Sequence, residues 1–293
     1  MLAAALHSRI QPPIITKSVR FFVTTSTRMS KPAGRDGNPF VSLLVCDFDK
    51  TITSKDTIGI LASLAYSKRV NQSPTSQPIP PWSFFVDAHL KDYAEHQARW
   101  CSTHGDDLTS PDHLAFLESL RAVEDASLDR VAAHGVLAGL TRDEIVACGR
   151  TVPKQARFED VCTAFLRPHD NPTAYPKKLH VLSVNWSRDL ILGAMAGVGR
   201  FDGTNVHSND LVFGVDGVST GQIARRVVAA KDKVEIFRRL MGEDRDEGHE
   251  TDGDVRTVSV FVGDSSMDLP CLGVFNLSAL SVIQVPEIVC LCR

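Results

Sequence analysis

What this 293-residue chain lacks narrows it before any motif is read. No apolar stretch approaches the ~18–20 residues of a membrane-spanning helix. Lysine and arginine total 32 against 35 aspartates and glutamates, a net charge of −3. A chain without a basic excess is a poor match for the phosphate backbone of nucleic acid. The 7 cysteines form no metal-type pairs; Cys290 and Cys292 lie too close together and too isolated for a zinc site. That cysteine usage suits a reduced, intracellular protein. No internal repeat is visible. The first 35 residues contain no Asp or Glu, yet carry Arg9, Lys17, Arg20, Arg28, Lys31 and Arg35 among many Ser and Thr. This pattern resembles a mitochondrial transit peptide, since a secretory signal needs a longer apolar block. A disordered leader, or a cytoplasmic form starting at Met29, are the competing readings.

What is present has the make-up of a globular protein, 43% hydrophobic and 23% charged, long enough for one domain plus an insertion. The stretch that organises it is Asp47-Phe48-Asp49-Lys50-Thr51, preceded by the apolar run Val41–Cys46. Such a run reads as a strand buried in a sheet, with Cys46 as packing. Two carboxylates two residues apart, launched from a buried strand, cannot both point into the core. A divalent cation is the natural partner, because Mg²⁺ prefers carboxylate oxygens and commonly bridges to phosphate. An acidic turn closing the strand is the plainer alternative. A second apolar strand, Thr257–Val262, runs into Gly263-Asp264-Ser265-Ser266-Met267-Asp268. Two strands that each deliver a carboxylate pair past their C-terminal ends suggest one shared site, since open parallel α/β sheets bind ligands there.

Between these motifs the chain changes character. Ile58, Leu61, Ala62 and Ala65 fall on one helical face, and Asp56 or Ser54 caps it; substrate contact is a second role open to Asp56. Residues 70–81 form a Pro- and Ser-rich linker. From Trp82 to about Arg167 the pattern is helical throughout. Phe84, Phe85, Ala88, Tyr93 and Trp100 mark one segment, and Leu114, Leu117 and Leu120 another; the aromatics read as core. Thr141-Arg142-Asp143-Glu144 has capping-box spacing, and Gly139 and Gly149 read as helix stops. A helical insertion between the first two strands of such a sheet is placed to cover the site, against the alternative of a bundle packed elsewhere. Arg167–Pro176 is a hinge back to the core. Leu179–Leu182 is a further strand ending in Ser183, and Ser187 is an N-cap for the next helix, so that strand end and helix start make an anion site. Residues 201–222 read as short strands and turns. Lys233 opens the face Val234, Phe237, Leu240 and Met241, with Gly242 as its stop. A lysine at a helix start opposes the dipole, which argues that it meets an anion; Lys231 is the competing amine. Glu243–Asp254 reads as a solvated acidic loop.

The order Asp-x-Asp-x-Thr, Ser, Lys, Gly-Asp-x-x-x-Asp resembles the haloacid dehalogenase-like superfamily, whose phosphatases form an aspartyl-phosphate. Within it, Asp47–Thr53, Gly135–Leu140, Leu182–Ser187 and Gly263–Leu269 look like the phosphatase half of plant bifunctional proteins that hydrolyse thiamin monophosphate, and like related stand-alone fungal-type proteins. The similarity runs from about Phe40 to Leu272. It implies an α/β fold, a Rossmann-like parallel sheet with a helical cap inserted between the first and second core strands. The expected division is a leader over 1–35, a catalytic core over 36–56 and 175–293, and a cap over 57–174. The resemblance implies a Mg²⁺-dependent phosphatase acting on a small phosphomonoester, thiamin monophosphate being a lead. Asp47 would be the nucleophile and Asp49 the acid and base. Thr51, Ser183 and Lys233 would bind phosphate. The metal would sit among Asp47, Asp264 and Asp268, with Asp49 contributing its backbone carbonyl; Asp268 could instead hold Lys233. A phosphotransferase or phosphomutase on the same Asp47, or a binding module impaired by a short C-terminus, are the alternatives. Nothing in the sequence fixes the oligomeric state.

Overall fold

The computed structural model describes residues 22–27, 40–70, 78–105, 110–168, 176–247 and 257–272. Most of the 70–81 linker, the middle of the 167–176 hinge, the loop after residue 247 and the tail with Cys290 and Cys292 lie outside the described residues. In chain order come strands β1 (Phe22–Thr27) and β2 (Phe40–Cys46), then helices α1 (Ile58–Val70), α2 (Trp82–His104), α3 (Ser110–Ser119) and α4 (Arg121–Ala133). Strand β3 (Ala138–Thr141) and helices α5 (Arg142–Arg150) and α6 (Phe158–Phe165) complete the insertion. The chain continues through β4 (Lys178–Leu182), α7 (Arg188–Met195), β5 (Val206–His207), β6 (Asp210–Phe213), β7 (Val218–Ala224), α8 (Ala230–Glu247), β8 (Thr257–Gly263) and α9 (Leu269–Leu272).

The main sheet has the order β1-β8-β2-β4-β5. β8, β2, β4 and β5 are mutually parallel, and β1 is antiparallel on the outer side of β8. Leu43, Leu44 and Val45 of β2 are fully buried, which is why a parallel strand covered on both faces reads as an unbroken apolar run. The parallel α/β sheet with an insertion between its first two core strands, β2 and β4, is the architecture the resemblance implies. Cys46 is buried in it.

Glycines set the join between insertion and core. Helices α5 and α7 cross where Gly149 meets Gly193: a Cβ on Gly149 would stand 2.2 Å from the Leu190 carbonyl oxygen, and one on Gly193 equally close to that of Val146. Gly149 therefore permits a close approach and does not stop the helix. Thr141 forms the full capping box with Glu144 expected at the start of α5. A second join lies just past the first acid pair. Gln155 donates its backbone N–H to Ile52 (2.9 Å), and Ser54 donates to Pro153 (2.9 Å), while the Gln155 side chain reaches the Lys50 carbonyl (2.9 Å).

Four local expectations need correction. The run 82–167 is not wholly helical, because β3 interrupts it and pairs with β7 in a small sheet, β3-β7-β6. Gly139 is part of that strand, at φ +90°. Helix α8 continues through Gly242 to Glu247, so neither a stop nor a loop begins there. Phe84 is exposed on the outer side of α2, stacked on His134, and Leu114 is also exposed. Phe116 turns inward in place of Leu114, beside Leu117 and Leu120, which are buried as expected. The short strands expected over 201–222 are present as β5, β6 and β7.

Candidate active site

The two acid pairs meet because their strands are neighbours. The Asp47 N–H donates to the Val262 carbonyl at 2.8 Å, pinning the end of β2 to the end of β8. Lys50 then takes a left-handed φ of +62°, an uncommon conformation for a side-chain-bearing residue. The tight turn it makes folds Thr51 back, and the Thr51 hydroxyl donates to Asp264 Oδ1 at 3.2 Å. Asp47, Asp49, Lys50, Asp56, Ser183, Lys233, Asp264 and Met267 line one pocket.

Lys233, on the first turn of α8, is only 1% exposed. Its Nζ donates to Asp47 Oδ1 at 2.9 Å and to Asp268 Oδ1 at 2.7 Å. Asp268 Oδ2 accepts from the Ser265 N–H (3.0 Å) and hydroxyl (2.7 Å), so both of its oxygens are engaged. Burial works against the Lys233 charge, but Asp268 and Asp47 outweigh it and hold the pKa above the usual lysine value. Lys231 faces elsewhere, 3.2 Å from Glu118 with both side chains exposed. Of the two candidate amines, only Lys233 lies in the pocket.

Asp49 sits in a separate cradle. Its Oδ1 accepts from the Thr57 N–H at 2.7 Å and its Oδ2 from Asn185 Nδ2 at 3.0 Å. Burial, with the nearby Asp56 charge, raises its pKa to about 7. Asp47 is raised to about 6, by burial first, with Lys233 opposing and Asp268 adding. Burial, then Asp47 and Asp268, raise Asp264 to about 7. Ser183, fully buried at the end of β4, takes its place through its N–H on the His207 carbonyl of β5 (2.9 Å). Beyond it Ser187 caps α7 by accepting from the Leu190 N–H at 3.2 Å, as expected.

Asp47, Asp264 and Asp268 bring carboxylate oxygens within 4.8 Å of one another. An all-oxygen donor set of this kind fits Mg²⁺, which usually takes one or two carboxylates and keeps several waters. With Asp268 committed to Lys233 and Ser265, Asp47 and Asp264 have the oxygens left to give. The Asp49 carboxylate lies outside this cluster, in the grip of Thr57 and Asn185, which leaves its backbone carbonyl as the group it could contribute.

Two partners of the site escaped the sequence reading. Asn185 and Thr57 have no recognisable spacing to Asp49, because Asn185 is 136 residues away. The insertion comes close to the pocket at Met267, which lines it and belongs to one apolar cluster with Tyr93, Phe116, Leu117, Leu120 and Val123.

No protein-family model matches the chain. It is 29% identical over 242 residues to the bifunctional TH2 protein, mitochondrial, of Arabidopsis thaliana, covering 78% of this chain but only 38% of that one. Phosphoserine phosphatase in its apo form aligns with 78% of this chain and 80% of its own, at 18% identity and a TM-score of 0.41. The CTO1 family protein C17G9.12c of Schizosaccharomyces pombe is 30% identical over 251 residues. Because that match covers 81% of both proteins, this chain belongs to the CTO1 family.

Proposed function

We propose that the chain is a Mg²⁺-dependent phosphatase that hydrolyses a small-molecule phosphomonoester through an aspartyl-phosphate on Asp47. The observation that carries this is the convergence of Asp47, Asp49, Ser183, Lys233 and Asp264 on one pocket at the C-terminal ends of parallel strands. Asp47 attacks phosphorus, and Lys233, held between Asp47 and Asp268, balances charge on the phosphoryl oxygens. Ser183 and Thr51 complete the phosphate cradle. Asp49, with a pKa raised to about 7, is matched to giving a proton to the leaving oxygen and taking one from water afterwards. Asp47, Asp264 and the Asp49 carbonyl would hold Mg²⁺, which when bound would neutralise phosphate charge as a Lewis acid. Asp268 acts by holding Lys233.

The pocket also favours one kind of leaving group. Asp47, Asp49, Asp56 and Asp264 line it against Lys50 and Lys233. Asp56 Oδ1 accepts from the Ile58 N–H (3.1 Å), the capping role, while its buried Oδ2 has no hydrogen-bond partner among the described residues. A cation, or a hydrogen-bond donor, on the alcohol would satisfy that oxygen, which agrees with thiamin monophosphate as the lead substrate. The organisation that goes with this reading is a core (36–56 and 175–293), a cap (57–174) and a leader (1–35) that would direct the chain to mitochondria, with residues 22–27 of that leader paired to β8 of the core sheet.

Purified protein is expected to release inorganic phosphate from p-nitrophenyl phosphate and from thiamin monophosphate only with Mg²⁺, and Asp47→Asn to abolish it. Equal rates for wild type and Asp47→Asn would overturn the reading. Transfer of the phosphoryl group to an alcohol without phosphate release would identify a phosphotransferase or phosphomutase instead.

A further inference from the structure

Asp49 is held by two donors drawn from opposite sides of the insertion. Thr57, at the start of α1, gives its backbone N–H to Oδ1 (2.7 Å). Asn185, after β4, gives Nδ2 to Oδ2 (3.0 Å). The same Nδ2 also donates to Thr57 Oγ1 at 2.8 Å, and Asn185 Oδ1 accepts from the Ser187 N–H at 3.1 Å. With its oxygen and both amide hydrogens used, the amide has one orientation that satisfies it. Thr57 and Asn185 are both completely buried. An unsatisfied amide there would be costly, so the triangle of Asp49, Thr57 and Asn185 is stiff.

We propose that Asn185 is a positioning residue for proton donation: through the Thr57 clamp it aims the Asp49 carboxyl at the leaving-group oxygen. The proposal rests on the phosphatase reading above. In the step concerned, an Asp47 oxygen forms its bond to phosphorus while the bond from phosphorus to the ester oxygen breaks. The Asp49 proton passes to that ester oxygen, so the alcohol leaves neutral and Asp49 becomes a carboxylate. Each Asp49 oxygen accepts one hydrogen bond from the clamp and keeps a second lone pair, which suffices for carrying that proton. Loosening the clamp leaves the nucleophile and the Lys233 pair untouched, since neither bonds to Asn185. The penalty therefore depends on how much the departing oxygen needs a proton. An alkoxide needs it; p-nitrophenolate, a stabilised anion, leaves without it.

The test compares kcat/KM for an alkyl phosphate (β-glycerophosphate) and for p-nitrophenyl phosphate in wild type, Asn185→Ala and Asn185→Leu. This ratio reports steps up to release of the alcohol and excludes hydrolysis of the phospho-enzyme, in which Asp49 acts on both substrates alike. The alkyl value is expected to fall about ten- to a hundredfold further than the aryl value, a fraction of the full effect of a general acid. Thr57→Val is nearly isosteric, removes only the hydroxyl end of the clamp, and is expected to move the ratio the same way by about two- to fivefold; it carries the test should both Asn185 variants fail to fold. Equal loss on both substrates in a folded variant would overturn the positioning role while leaving the phosphatase standing. A wild type inert toward both phosphates would overturn the phosphatase reading itself, and this role with it.

Discussion

Replacing Lys233 by methionine tests the centre of the site at its most loaded point. The side chain keeps its length and loses its charge, leaving Asp47 and Asp268 facing one another without the cation that lies 2.9 and 2.7 Å from them. Lys233, Asp47 and Asp268 are at most 5% exposed, so water cannot replace the missing partner. Breaking a buried pair by removing one member costs about 3–5 kcal/mol, and that is the expected loss in urea denaturation followed by tryptophan fluorescence at about pH 7.5. The pH dependence fixes the cause. In the variant an acid of the pair has its folded pKa raised above its unfolded value, so folding takes up a proton. That contribution is lost as pH rises through the folded pKa and regained as pH falls. Between about pH 7.5 and 5.5 the deficit relative to wild type should shrink, by up to about 1.4 kcal/mol per pH unit. A Lys233→Met protein within about 1 kcal/mol of wild type at the higher pH would refute the buried triad, since an exposed lysine pair is worth no more than that. A large but pH-independent loss would refute the electrostatic account and leave a packing defect in its place.

Two further outcomes follow from other parts of the fold. Gly149→Ala drives a methyl group into the Leu190 carbonyl at the α5–α7 crossing and should lower stability by about 1–3 kcal/mol, read as a lower urea midpoint; an unchanged midpoint would mean the helices do not approach so closely. His180 and His207 stack with Nδ1 and Nε2 2.9 Å apart. Burial first, then neighbouring positive groups, depress them to about 3 and about 4. A depressed histidine keeps its full stability contribution above its unfolded pKa and loses it as pH falls. From about pH 7.5 to 5 the pair should cost wild type about 2–4 kcal/mol that a His180→Leu, His207→Leu double variant does not lose. Parallel pH profiles for the two proteins would contradict this.

How far the sequence could be read depended on whether the signal was local. Asp47 and Asp264 were legible because each directly follows a mostly apolar strand. The Thr141 and Ser187 caps were legible because they satisfy N–H groups within three residues of themselves. β3 was not, since it is four residues long and exists only by pairing with β7, far along the chain. The end of α8 was misplaced for a related reason: Gly242 costs a helix little when Phe237, Leu240 and Met241 on the same helix are buried. The Asn185 clamp lay beyond sequence reading altogether, because an asparagine next to a capping serine looks like any loop until the fold brings it to Asp49.

The strand that carries Asp264 and Asp268 owes half of its lateral support to Phe22–Thr27, which runs beside it in antiparallel register from Phe22 opposite Gly263 to Thr27 opposite Val258. Those six residues belong to the acid-free, arginine-bearing beginning of the chain. Proteolytic maturation that cut past Thr27 would strip a whole ladder of amides and carbonyls from β8 and hand the sheet a bare margin. How firmly the second acid pair is held thus depends on whether the chain keeps residues 22–27.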